Sequence, residues 1–257
     1  ANTSATAAST GSDLNGMAAL DASRRIRERL VPVAARLLDA APELVRFHDG
    51  VVEAGGRAIP FREVAEAAYR QRVQLWSEGF YATTGLSWDP ATLTGHPFFY
   101  FCYGASVSEV VVDTLTGEHR VLRTDILHDV GRSLNPTIDI GQIEGGFVQG
   151  MGWLTTEELR WNGDSGVLET LAPTTYKVPA VHDVPADFRV ELLDNASTAD
   201  TIHRSKAVGE PPVLLAFSVF LAIRDAVAAC GGPGADPPLR APATAEAILR
   251  EIGRAHV

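Results

Sequence analysis

The chain has 257 residues, of which 46% are hydrophobic and 21% charged, and its formal net charge at pH 7 is −10. This composition excludes a disordered chain, the length allows one large domain or two small ones, and the negative charge argues against a nucleic-acid partner. The two cysteines, Cys102 and Cys230, form neither a disulfide framework nor a metal-ligand cluster, which fits the cytoplasm. The first residues are small and polar without an initiator Met, so we expect a piece of a longer subunit.

The first hundred residues are predicted to begin with a long helix. Ser12 and Asp13 are candidate N-caps, and the apolar residues after them recur at helical spacing, which predicts a helix from about 13 to 40. Asp49-Gly50 is a favoured two-residue turn and predicts a short hairpin. The elements expected next are a helix over 61–70, a strand over 73–81 and a loop over 83–97.

The remaining residues mix strands and helices without regular alternation, which predicts an α+β fold of mixed sheets covered by helices. The predicted elements are a hairpin of 98–113 with 121–129, a glycine-rich helix over 138–158, a strand over 188–193, and helices over 213–229 and 243–254. Arg224 and Asp225 interrupt the longest apolar run, which favours a packed helix over a membrane span.

Glu210 is the first candidate functional residue, because it stands where a loop meets a helix start. A carboxylate there can cap the helix and interact with its dipole, and Pro211 and Pro212 suit a first helical turn. The same prolines can instead hold a general base on a stiff corner, with Gly209 letting the backbone approach a ligand. Composition alone leaves both interpretations open.

Two further segments have both a structural and a functional interpretation. The run of tiny side chains over 6–12 is either a flexible tail or a cradle for an anion at a helix start. The segment 141–152 is either a tightly packed glycine-rich helix or a helix whose Gln142 and Gln149 donate to a bound cofactor. The seven histidines, by contrast, show no metal-ligand spacing and are predicted to be structural or exposed.

Taken together, these segments resemble the xanthine oxidase family of molybdenum hydroxylases. The resemblance is to the C-terminal part of the molybdenum-binding subunit, its second cofactor-binding domain, and covers the chain from its first residue to about 229. It rests on residues 2–9, 12–16, 122–127, 133–136, 139–159, 175–180, 188–190 and 205–212. Family members that hydroxylate purines carry Gly-Glu-Pro-Pro, as residues 209–212 do here, whereas aldehyde oxidases usually have small residues after the Glu.

The resemblance implies a fold, a cofactor and a mechanism. The whole of 1–257 is expected to form most of the second cofactor-binding domain. In the family, a pterin dithiolene rather than protein side chains holds molybdenum, Mo–OH attacks an electron-poor ring carbon, and hydride passes to Mo=S. Glu210 matches the base that deprotonates this hydroxyl, converting xanthine or hypoxanthine to urate. The positions that match cofactor contacts are Ala7, Ala8, Ser9, Thr10, Gln142 and Gly209.

The resemblance also implies partners. These are the upstream half of the molybdenum subunit, an iron–sulfur and FAD subunit with 2Fe–2S clusters, a purine substrate and a possible second copy. The composition and the charged centre of the apolar run argue separately against a nucleic acid or a membrane as a partner. Because the substrate-clamping residues of the family precede this chain, we expect the 257 residues alone to be inactive and without cofactor. Two alternatives remain: a hydroxylase of other N-heterocycles or aldehydes, and a non-catalytic scaffold domain.

Overall fold

The structure, a computed structural model, describes residues 9–232 and 234–255. These residues form two compact units: Thr10–Phe99 makes up one, and Ser9 together with the residues from Tyr100 onward makes up the other. Each unit has its own hydrophobic core. The mixture of helices with small sheets confirms the α+β prediction.

The unit Thr10–Phe99 packs two helices on a small antiparallel sheet. Its elements are a π-helical turn (Gly11–Asn15), α1 (Gly16–Leu38), β1 (Arg46–His48), β2 (Val51–Ala54), β3 (Arg57–Pro60), α2 (Phe61–Arg70), β4 (Ser87–Asp89) and β5 (Thr94–His96). Asp49 and Gly50 have positive φ angles of 43° and 76°, as the predicted hairpin turn requires. Thr10 is the N-cap residue, without a side-chain bond, so the prediction that Ser12 or Asp13 caps the helix is wrong.

The predicted strand over 73–81 is wrong, because this segment has no partner strand and contacts α1 instead. Gly79 lies so close to α1 that a Cβ there would collide with the carbonyl oxygen of Ala18. The Phe80 N–H donates to Asp21 Oδ2 at 3.1 Å. The segment 73–81, whose residues alternate as in a strand, therefore packs against a helix rather than in a sheet. The short β4–β5 hairpin, in turn, lies within the segment predicted to be a loop.

The second unit covers one face of a three-stranded sheet with helices. Its elements are β6 (Gly104–Val112), β7 (His119–His128), α3 (Pro136–Thr155), β8 (Asp187–Leu192), a 3₁₀ turn (Pro211–Ala216), α4 (Phe217–Cys230) and α5 (Ala245–Ala255). The strand order is β6-β7-β8, with β6 antiparallel and β8 parallel to β7. Ile143 and Phe147 of α3 are fully buried beside Val219 and Ile223 of α4, which fixes the two helices in one core.

Among the described residues, one helical stretch, Pro211–Cys230, has the length and apolar composition that could cross a membrane. Three of its side chains, Val219, Ile223 and Val227, are fully buried in the core of the unit. Arg224 on the same helix pairs with Asp236. The stretch is therefore packed as a core helix in this fold.

The glycines of α3 bring its backbone into contact with the turn before α4. A Cβ on Gly146 would lie 3.1 Å from the carbonyl oxygen of Gly209 and 3.2 Å from Cβ of Pro212. A Cβ on Gly150 would collide with the carbonyl oxygen of Val213. The close backbone packing predicted from the glycine content is thus present, and it aligns the turn after Glu210.

Replacing two glycines of α3 by alanine should change the free energy of unfolding in opposite directions. Gly150→Ala should lower the free energy of unfolding by about 1–3 kcal/mol, because overpacking must separate α3 from the turn Pro211–Ala216. Gly145→Ala is the matched control: a Cβ there meets open space, so the better helix propensity of alanine should raise stability by up to about 1 kcal/mol. Urea unfolding measures both, and equal effects at the two positions would contradict the packing.

Candidate active site

Four residues that the sequence singles out converge at the start of the turn before α4. The Glu210 N–H donates to Ser9 Oγ at 2.8 Å. A Cβ on Gly209 would lie 2.7 Å from the same hydroxyl oxygen and 3.4 Å from Oε1 of Gln142. Gly209 therefore allows the hydroxyl of Ser9 and the amide of Gln142 to approach the backbone just before Glu210.

The side chain of Glu210 is not used for capping. Glu210 occupies the N-cap position of the turn Pro211–Ala216, with no side-chain capping bond. Its side chain is exposed and makes neither a hydrogen bond nor an ion pair with any residue that the structure describes. Of the two interpretations left open by the sequence, hydrogen-bonded capping is the one that this geometry does not support.

A buried ion pair fixes the chain four residues before Glu210. The Lys206 ammonium donates to Asp129, and the Lys206 and Asp129 side chains are only 8% and 0% exposed. Lys206 Nζ also donates to the carbonyl oxygen of Phe101 at 2.9 Å and lies 5.3 Å from the ring centroid of Tyr103. The Lys206 backbone N–H donates to Val130 O at 2.8 Å, so both the backbone and the side chain of this residue are fixed.

The environment of Asp129 keeps its carboxyl group ionised. Burial opposes ionisation, but hydrogen bonds from Lys206, the Gly131 N–H and Asn195, with the Lys206 charge, outweigh it and hold the pKa of Asp129 below its ordinary value. Asp129 Oδ1 accepts from the Gly131 N–H at 2.8 Å. Gly131 has a φ of 60°, and a Cβ there would lie 2.5 Å from Arg204 O, so the turn requires glycine.

His128 precedes this ion pair and is itself buried. Burial lowers the pKa of its imidazole, against the opposing charge of Asp129, which keeps the ring neutral at pH 7. Neither ring nitrogen has a hydrogen-bond partner among the described residues. The Lys206–Asp129 pair and the His128 imidazole are therefore neighbours at the end of β7, and burying either of them costs free energy.

The segment 100–103 crosses over Ala207, which lies three residues before Glu210. The Ala207 N–H donates to the Tyr100 hydroxyl oxygen at 2.8 Å. The Cys102 thiol donates to the carbonyl oxygen of Ala207 at 3.2 Å. Both backbone groups of Ala207 are therefore held by side chains of one segment.

The outer face of α3 continues from Gln142 toward the C-terminus of the helix. Gln142 and Gln149 are seven residues apart, which puts them on the same face, and both are exposed. A cavity of about 410 Å³ borders this face, lined by Gly145, Gln149, Trp153, Glu157 and Pro179, among others. A second cavity, of about 300 Å³, lies between the start of β7 and the loop at 182–186, and Glu210 does not line it.

The remaining predicted site residues lie elsewhere. Thr10 is the first residue of the other unit, where its carbonyl oxygen accepts from the Leu14 N–H at 2.8 Å. Ala7 and Ala8 lie outside the described residues. Within 9–232 and 234–255, there is no group of three or more His, Cys, Asp or Glu residues that could hold a metal ion.

Sequence reasoning missed the groups that anchor the site, namely Asp129, His128, Tyr100 and Cys102. They lie 81 to 110 positions before Glu210 in the sequence, so no local spacing reveals them. One signal was available: Lys206 is one of only two lysines in a chain rich in arginine.

Comparison with known proteins places this geometry in a family. Residues 1–185 match the family model described as a molybdopterin cofactor-binding domain. Xanthine dehydrogenase of Dictyostelium discoideum is 46% identical over 231 residues, which are 89% of this chain and 16% of that protein. Xanthine dehydrogenase of Oryza sativa subsp. japonica is 43% identical over 96% of this chain and 17% of that protein.

Solved structures give the same fold. Quinoline 2-oxidoreductase from Pseudomonas putida 86 matches 90% of this chain and 28% of its own, with a TM-score of 0.72 and 29% identity. The reconstituted CO dehydrogenase from Oligotropha carboxidovorans matches 94% of this chain and 29% of its own, with a TM-score of 0.73 and 21% identity.

The chain belongs to the molybdopterin cofactor-binding domain family. Within it, the sequence is similar to xanthine dehydrogenases along most of its length, and it spans 16–18% of the length of these curated relatives.

The residues present fit a molybdopterin group. A pterin cofactor needs hydrogen-bonding groups and backbone that can be approached closely. The hydrogen-bonding groups are present at Gly209, where Ser9 Oγ and Gln142 Oε1 lie 2.7 Å and 3.4 Å from the place that a Cβ would take, and the missing side chain lets both groups lie against the backbone. The exposed amides of Gln142 and Gln149 add donors along α3.

Replacing Asp129 tests the buried ion pair. At pH 7 Asp129→Asn leaves the Lys206 ammonium buried without its counter-charge, so we expect the free energy of unfolding to fall by about 3–5 kcal/mol. Because the folded-state pKa of Asp129 lies below its ordinary value of 3.8, the stability that its charge contributes is fully present well above that ordinary value and is lost as the pH falls through the folded-state value. The difference in the free energy of unfolding between wild type and variant, measured by urea unfolding, should therefore narrow as the pH is lowered into the acid range.

Asp236→Asn is the control, because Asp236 pairs with Arg224 at the surface with its side chain 79% exposed. It should cost less than about 1 kcal/mol. A loss at Asp129 that is equally small, or independent of pH, would contradict the buried pair.

Proposed function

We propose that this chain forms part of the molybdenum site of a xanthine dehydrogenase, with Glu210 as the general base. The substrate would be xanthine or hypoxanthine and the product urate. Each hydroxylation replaces a ring C–H bond by a C–O bond to oxygen derived from water, and releases two electrons and two protons. The Gly209-Glu210-Pro211-Pro212 sequence and the similarity to xanthine dehydrogenases support this assignment.

The bound molybdopterin would supply the two-electron redox chemistry and the route for oxygen transfer. This chain's own residues would supply binding, orientation and proton transfer. The carboxylate of Glu210 accepts the proton that the attacking hydroxyl group loses. Ser9 and Gln142 hold the cofactor beside it by hydrogen bonds, and Gly209 allows its close approach.

One observation carries the proposal: Glu210 has a fixed backbone and an uncommitted carboxylate. Its N–H is bound by Ser9, and the following turn lies directly on the glycines of α3. Its side chain is exposed and unpaired among the described residues. A general base requires this combination, because it must reach its proton without being consumed in a structural contact.

The complete enzyme would include the rest of the molybdenum subunit and modules that carry 2Fe–2S clusters and FAD, which would accept the electrons. A purine enzyme of this kind would work in the cytoplasm, and a second copy of the subunit would complete a homodimer. Because the chain spans a small part of its relatives, we propose that 1–257 is the C-terminal cofactor-binding domain of a longer subunit. Xanthine turnover by this chain alone would contradict that assignment.

A second candidate function is hydroxylation of another N-heterocycle or of an aldehyde. The similarity to a quinoline 2-oxidoreductase favours the N-heterocycle within this alternative. Comparing kcat/KM for xanthine, quinoline and an aromatic aldehyde in the complete enzyme separates the candidates. A preference for xanthine supports the first, and a preference for either other substrate supports the second.

Replacing the proposed base tests the function directly. Glu210→Gln keeps the size of the side chain but removes its basicity, so kcat of the complete enzyme should fall by at least about 10²–10⁴-fold. Molybdenum content should be unchanged, because the carboxylate is not proposed to bind the metal.

Glu246→Gln is the matched control. Glu246 is also an exposed carboxylate in the first turn of a helix, α5, and it pairs with Arg250 at the surface. Its replacement should leave kcat at the wild-type value. Unchanged turnover in Glu210→Gln would instead favour the scaffold-domain interpretation.

A further inference from the structure

The residues from 205 to 210 are held one by one, and the contacts that hold them come from distant parts of the chain. Ser205 is buried and pairs with Gly131 in a β-bridge. Val208 packs against the hydrophobic core, and Gly209 contacts Ser9. The Glu210 carboxylate, by contrast, makes no hydrogen bond or ion pair with the part of the chain that the structure describes.

Lys206 joins this segment to two other parts of the chain, the end of β7 and the segment before β6. Its ammonium group donates to Asp129, which follows β7, and to Phe101 O, which precedes β6. The next residue, Ala207, donates its N–H to the Tyr100 hydroxyl. A rotation of the Glu210 corner about the residues before it would break these bonds, and the bond between the buried side chains of Lys206 and Asp129 is the most expensive of them to lose.

A buried lysine–carboxylate pair is a weak source of stability, because desolvation of the two charges offsets their attraction. What it provides is one allowed arrangement, since an ammonium group with its donors occupied cannot shift without leaving a buried charge unpaired. Lys206 of this pair is four residues from Glu210, so fixing the pair also restricts the backbone that leads to the candidate base.

We propose that Lys206, held by Asp129 and assisted by Tyr100, is a positioning residue that fixes where the Glu210 carboxylate points. The inference rests on the proposed function of Glu210 as a base. Lys206 touches neither substrate nor cofactor in this account and acts through the backbone of 207–209. Misplacing a reacting group by about 1 Å can reduce the rate by about 100-fold, so loss of this anchor is measurable.

The test is a double-mutant cycle in the complete, cofactor-loaded enzyme, with Lys206→Met, Glu210→Gln and the double variant. Lys206→Met should lower kcat by about 10- to 100-fold with little change in KM for xanthine. The double variant should be no slower than Glu210→Gln alone, because a residue that acts through another loses its effect when the other is gone. Multiplied effects, or a wild-type kcat in Lys206→Met, would overturn the proposal.

A second readout does not depend on turnover. Amide hydrogen exchange of a peptide covering 205–210 should be faster in Lys206→Met than in wild type, and exchange in β6 should be unchanged. Equal exchange of the 205–210 peptide in the two proteins would overturn the proposal. Lys177→Met is the control, because it makes the same change at the chain's other, exposed lysine and should alter neither kcat nor exchange.

Tyr100→Phe provides the test if Lys206→Met does not assemble with molybdenum. It removes only the hydroxyl oxygen that accepts from the Ala207 N–H. We expect a smaller loss of kcat, about 3- to 10-fold, that again vanishes in the Glu210→Gln background. A wild-type kcat would overturn the proposal.

The cycle separates the two claims. If Glu210→Gln is slow and the effect of Lys206→Met multiplies with it, only the positioning role is lost and Glu210 remains the base. If Glu210→Gln turns over at the wild-type rate, the proposed function is wrong and the positioning role is overturned with it.

Discussion

The contact between the glycines of α3 and the backbone around Gly209 is the constraint on which the rest of the site depends. Gly146 and Gly150 let the carbonyl oxygens of Gly209 and Val213 lie against the helix: a Cβ on Gly150 would collide with Val213 O, and a Cβ on Gly146 would lie only 3.1 Å from Gly209 O. The same contact sets the direction of the turn Pro211–Ala216 and of α4 after it. It also brings Gln142, one turn earlier on α3, beside Gly209. Each glycine lowers the helix propensity of α3, but the close packing that it permits aligns the candidate base.

The site combines this close packing with polar anchors of a kind that contributes little to net stability. The Lys206–Asp129 pair is costly to bury, and so is His128, whose ring nitrogens have no hydrogen-bond partner among the described residues. Both adjoin at the end of β7, directly before the turn at Gly131. Groups of this kind are concentrated where a protein must hold one arrangement for a function. Here the segment that they fix ends at a carboxylate without a partner among the described residues.

The sequence predicted much of the fold because most of its signals are local. The helical spacing of α1, the Asp49-Gly50 turn and the glycine content of α3 each act within a few residues. The failures have a common cause in contacts that local patterns do not encode. The segment 73–81 alternates like a strand but has α1 as its neighbour, and the hairpin around Trp88 and Gly95 is too short to show a period. Asp129 joins the site because β7 ends beside Lys206, and Tyr100 joins it because the segment before β6 contacts Ala207.

The structure of the complete, cofactor-loaded enzyme with a bound purine tests the central claim most directly, through the distance from the Glu210 carboxylate to the oxygen that loses its proton. The account predicts a hydrogen-bonding distance of about 2.6–3.2 Å, with the Lys206–Asp129 pair intact behind it. A carboxylate turned toward solvent or bound to another side chain, at a distance well beyond hydrogen-bond reach, would contradict it.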